Sequence, residues 1–285
     1  MKGSPKIVIL MLIVMATVLI LSALFAVVKA DFYSAYGSAV SSSPSIPPYY
    51  ELAYIVSGII IITAVFLVLI KYRLGKVIVG VSALIYFFVL LLITTLTLGA
   101  ASFYLFHINI LLASTSSYFI GFLMYAVPIL VLIYYFRFAG IYGRNIINIL
   151  IFSAIAEIIA SLLGVIPSLI LIGVIAIYDY IAVFVTKHMV TLAKALAGSP
   201  MFSGIEFMAK KEKMRFVLGG GDLVFPAVVF DAFMLNGMAL AAAAAGAGAI
   251  IGLLVLMLLG KKNKAYPAMA VIAPMQLLFL GLLLI

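Results

Sequence analysis

Four acids stand inside stretches that are otherwise apolar: Glu157, Asp179, Asp222 and Asp231. An ionisable group at membrane depth is costly unless it is protonated, paired or wetted, so each is a candidate functional residue. Asp222 is set apart by its neighbours, because it directly follows Gly219, Gly220 and Gly221 within the run Phe216 to Phe233. Consecutive glycines weaken a helix and remove every side chain that would hold another backbone away from the carboxylate. Such a place suits an approaching peptide.

Asp179 precedes the end of its apolar run by about seven residues and Asp222 follows the start of its own by about six, so at 1.5 Å per residue both are expected roughly 10 Å below the same membrane face. By the same count Glu157 and Asp231 lie roughly 18–22 Å deep, and Asp231 faces away from Asp222 on an unbroken helix. Two facing carboxyls in a low-dielectric site share a proton, leaving one as general base and the other as general acid. That pair can hydrolyse a peptide bond with neither metal nor covalent intermediate. Other chemistries lack their parts. The chain has no cysteine, no HExxH and no GxSxG, and its two histidines, His107 and His188, are far apart. No metal and no cofactor is expected. The alternative reading is a proton-coupled transporter with the two aspartates as its relay; such proteins pair broken helices in repeated halves, whereas one glycine-broken span carries an acid here.

The elements that must hold these residues are membrane spans. Hydrophobic residues make up 68% of the 285 and charged residues 9%, which excludes an ordinary soluble domain. The net charge of +9 would suggest nucleic acid in a soluble chain, but the basic residues fall between apolar runs and act as topology signals, so no nucleic-acid partner is expected. Spans are expected at 7–28, 51–70, 77–98, 118–138, 145–163, 168–186, 216–238, 239–259 and 266–285, giving an all-α polytopic protein of nine transmembrane helices. The first is read as an uncleaved span, longer than the apolar part of a signal peptide ending near Val28-Lys29-Ala30. Residues 99–117, interrupted by His107 and Asn109, are expected to be re-entrant or interfacial. Three parts follow: a six-span part over 1–186, a basic cytoplasmic loop over 187–215 and a three-span part over 216–285. With the N-terminus cytoplasmic, every Lys and Arg except Lys29 falls on the cytoplasmic side, which places the C-terminus outside a cell membrane. The Ala- and Gly-rich run Ala239 to Gly248 should let a neighbouring helix approach closely.

Tyr178-Asp179, Gly219-Gly220-Gly221-Asp222 and Pro267-Ala268-Met269 resemble the YD, GxGD and PAL motifs of the presenilin and signal peptide peptidase family of intramembrane aspartyl proteases. Their order, their host spans and the nine-span topology agree, and the cytoplasmic N-terminus is similar to that of the presenilin-like, microbial members. Met269 stands where the family has leucine, a nearly volume-conserving exchange. Val224 stands where prepilin peptidases, which share a GxGD motif, commonly have lysine. The resemblance implies that Asp179 and Asp222 are the catalytic pair and that Pro267, Ala268 and Met269 help shape the substrate site. It also implies transmembrane-helix or signal-peptide substrates, and a homo-oligomer is compatible with it. A substrate helix must unwind before it is cut, and the backbone at Gly219 to Gly221 and near Pro267 is expected to receive it as an added strand, with Tyr178 lining the same site.

Overall fold

The computed structural model describes residues 5–36, 48–72, 74–106, 116–186, 204–209, 214–259 and 266–283. Nine helices and one hairpin follow in chain order among them: α1 (Pro5–Tyr36), α2 (Pro48–Lys71), α3 (Gly75–Phe106), α4 (Ser116–Ile133), α5 (Ile141–Leu163), α6 (Val165–Tyr180), β1 (Gly204–Ala209), β2 (Met214–Gly219), α7 (Gly221–Leu235), α8 (Ala239–Leu259) and α9 (Met269–Gly281). Both α4 and α6 end in a wider π-helical turn, Tyr134–Phe138 and Ile181–Val185. Left-handed glycines make two of the sharp reversals, Gly164 between α5 and α6 and Gly237 between α7 and α8.

Helices α1, α5, α7 and α8 form the centre, with Met15, Val18, Ile151, Ala156, Val228, Ala232, Ala245 and Ala249 buried among them. At the periphery the apolar side chains turn outward, as Ile60, Ile61, Ile62 and Val65 do on α2. That is the inverse of a soluble surface and suits contact with lipid. Seven helices, α1 to α6 and α8, are long and apolar enough to cross a bilayer. The remaining two, α7 with 15 residues and α9 with 13, are shorter. Each begins within its motif, α7 at Gly221 and α9 at Met269.

Several expected boundaries move. The run 216–238 is not one helix: residues up to Gly219 belong to β2, and α7 begins at Gly221. Phe216 and Val217 favour a strand and pair with Phe207 and Glu206, while three glycines disfavour helix, so strand and helix together mimic one apolar span. The boundary drawn at 215/216 therefore falls inside β2, and the all-helical expectation gains a two-stranded antiparallel sheet. Of the stretch 99–117, residues through Phe106 continue α3, since no proline interrupts them, while 107–115 lie outside the described residues. Most of the basic loop, 187–203 and 210–213, and both histidines also lie outside them.

α1 runs unbroken through the Val28-Lys29-Ala30 site and is fastened to the centre at and before it. Lys29 Nζ pairs with Glu157 Oε1 at 3.1 Å and donates to Ser161 Oγ at 2.7 Å, both on α5. Ser22 Oγ donates to Asp231 Oδ1 of α7 at 2.9 Å. Glu157 and Asp231 thus serve helix contacts, paired with residues of α1 rather than with the other two acids. The glycine-rich face of α8 behaves as expected. A Cβ on Gly248 would lie 2.7 Å from the Cα of Gln276, and one on Gly252 2.8 Å from that of Ile272, so α9 rests backbone to backbone on α8.

Candidate active site

The site forms where α6, α7 and α9 meet. Asp179 lies one residue before the end of regular α6, just ahead of the π-helical turn, and is half-buried. Its Oδ2 accepts a hydrogen bond from the Met269 backbone N–H at 3.0 Å. Met269 is the first residue of α9, where backbone N–H groups have no helical partner, so the carboxylate caps that helix. Pro267 and Ala268, both buried, lead the chain to this point; proline there spends no N–H and keeps the approach extended.

Asp222 occupies the first turn of α7, directly after the strand, so its place is set by the strand-to-helix junction rather than by depth along a helix. It is half-buried, within electrostatic reach of Asp179 and of the Gly219 backbone N–H. The carboxyl folds back over Gly219, where a Cβ would lie 2.9 Å from Asp222 Oδ2. Gly221 is different: a Cβ there would meet only the Phe225 ring, at 3.3 Å. Of these two glycines it is Gly219 whose Cβ position the Asp222 carboxyl itself crowds. Gly220, buried, bears the helical conformation that starts α7, and its carbonyl accepts from Leu223 and Val224. Tyr178 neighbours Asp179 on α6 and is half-buried.

Two asparagines of α5 join the site's framework without having drawn notice in the sequence. Asn145 Nδ2 donates to the Glu206 carbonyl at 2.8 Å while its Oδ1 accepts from the Glu206 N–H at 3.1 Å, and Asn148 Nδ2 donates to the Gly204 carbonyl at 2.8 Å. Tyr86 of α3 in turn donates to Asn148 Oδ1 at 3.1 Å. Side-chain amides thus occupy the outer edge of β1 as a neighbouring strand would. Their signal was faint: two asparagines three residues apart in an apolar helix, on one face.

The fold has counterparts among known proteins. Residues 8–278 match the family model described as signal-peptide peptidase, presenilin aspartyl protease. The chain belongs to this family. It is accordingly an intramembrane aspartyl protease and a multi-pass integral membrane protein, which sets aside the transporter reading of the same acids. Its fold is presenilin-like. A solved structure of a presenilin family intramembrane aspartate protease in the C222 space group superposes with a TM-score of 0.64 at 21% identity, covering 95% of this chain and 97% of that one. Another, in the P2 space group, gives 0.59 at 22% identity, covering 94% and 96%. Among curated proteins nothing matches.

Proposed function

We propose that this protease hydrolyses peptide bonds within transmembrane segments of membrane proteins or signal peptides, with Asp179 and Asp222 as its catalytic pair. The observation that carries the reading is the convergence of these two carboxyls, from separate helices, at a junction where α7 and α9 both begin short of full span length. One carboxylate takes a proton from water as the water oxygen bonds to the carbonyl carbon, and the other carboxyl gives its proton to the carbonyl oxygen. The tetrahedral diol then returns a hydroxyl proton to the acid that gave one, the C–N bond breaks, and the nitrogen leaves with the proton first taken from water. The substrate arrives extended, as an added strand. Because Asn145 takes both main-chain groups of Glu206, those groups point away from β2, and the facing Val217 directs its own N–H and C=O to the opposite, outer edge of β2. That edge runs straight into Gly219 and Asp222, which supports strand addition there and at Pro267 to Met269. The N-terminus lies in the cytoplasm and the C-terminus outside a cell membrane, from the placement of Lys and Arg. The deciding experiment is cleavage of a labelled single-span substrate by purified protein in detergent, with and without Asp222→Asn. Cleavage is expected only without the substitution, and full activity in the variant would sink the catalytic pair.

A further inference from the structure

Gln276 lies two turns beyond Met269 on the same face of α9 and is fully buried. A primary amide in this apolar interior is costly, and its Oε1 has no hydrogen-bond partner among the described residues. Packing alone would be served better by leucine or methionine. The other end of the amide is engaged: Nε2 donates to the carbonyl of Pro226 in α7 at 2.9 Å. The amide orientation follows from that bond, since the reversed group would set two oxygens against each other.

Pro226 stands four residues after Asp222. Lacking an N–H, it cannot bond the Asp222 carbonyl, and its ring presses on that carbonyl, so the first turn of α7 is loosened where it carries the carboxyl. A first turn freed in this way needs an outside reference to fix its direction. Among the described residues α9 bears on both halves of the aspartate pair: its first N–H holds Asp179, and Gln276 holds the Pro226 carbonyl one turn after Asp222. α9 itself is immobilised by backbone contact with Gly248 and Gly252 of α8. We propose that Gln276 is a positioning residue, which registers the Asp222 turn against the helix that caps Asp179 and so sets the spacing of the two carboxyls. It touches neither substrate nor reacting atoms. The proposal rests on the reading of Asp179 and Asp222 as the catalytic pair.

The test uses the purified full chain and a labelled single-span substrate, with kcat, KM, pH profile and thermal midpoint read for each variant. Gln276→Leu keeps the volume and removes the donor. It should lose about tenfold or more in kcat, as misplacement of reacting groups does, with KM within about twofold and a midpoint no lower than the parent's. Gln276→Glu supplies the same donor when protonated and a repelling oxygen when ionised. Its activity should approach the parent's at acidic pH and fall away as pH rises, on a profile displaced from the parent's. A purely structural glutamine predicts neither the split between kcat and KM nor the displaced profile. Parent kcat in Gln276→Leu overturns the proposal, and so does a Gln276→Glu profile that superimposes on the parent's; should the leucine variant not fold, the glutamate profile decides alone. Asp222→Asn, run beside them, separates the two readings: an active Asp222→Asn removes the catalytic pair itself, whereas an inactive one beside a fully active Gln276→Leu removes only the positioning role.

Discussion

The two aspartates were legible as residues because acids are rare in apolar runs and because only Asp179 and Asp222 share the motifs YD and GxGD. What residue types did not reveal was which glycine matters most. Gly221 adjoins Asp222 in sequence, yet the carboxyl turns back over Gly219, a fact of the strand-to-helix junction and not of the composition. Either Asp179→Asn or Asp222→Asn should reduce cleavage by about a hundredfold to ten-thousandfold, since each removes one partner of the acid–base pair. Circular dichroism should report an unchanged helical content. Gly219→Ala should cost about tenfold in kcat, because the new methyl displaces the carboxyl from its place by about half an ångström. Gly221→Ala needs only a small turn of the Phe225 ring and should stay within about threefold of the parent. Equal loss in the two alanine variants, measured under the same substrate concentrations, would contradict this assignment.

At the scale of elements, helices were readable from apolar runs, and α8 falls at 239–259 as its run predicts. The hairpin was not. Its strands are six residues each, one inside a basic stretch and the other continuous with an apolar run, so no period of two separates them from their surroundings. Nor does any local pattern announce that Asn145 and Asn148, about sixty residues upstream, close the β1 edge. Removing both amides together, Asn145→Ala with Asn148→Ala, leaves the main chain of Glu206 and Gly204 without these partners and lets the hairpin shift. Cleavage should fall by about tenfold or more through the loss of orientation, while the aspartates stay in place. The same edge argues for a preference among substrates: a span weakened by Gly or Pro near the cut unwinds at lower cost than one of uniform leucine and should be cut faster. Equal rates for the two spans would show that substrate unwinding does not limit the reaction.

For the whole molecule, span number and direction come from charge and length together, and these are the features a bilayer imposes most strictly. Lys29 is the one basic residue the charge count would leave on the outer side, and its ammonium pairs with Glu157 and Ser161 inside the bundle. It is therefore a joint between α1 and α5 rather than a topology signal, and the remaining count becomes one-sided. Because each crossing reverses direction, an error of one span would invert every later loop, so two distant positions are enough to test the path. The chain has no cysteine, and single cysteines can be placed at 45 and at 263 without competing thiols. In intact cells an impermeant maleimide should label position 45 and leave 263 protected until the membrane is opened. Labelling of 263 with 45 protected would show the protein inverted. Labelling of both would mean an even number of crossings between them, so that the path from 51 to 259 would have one span more or fewer than the seven expected.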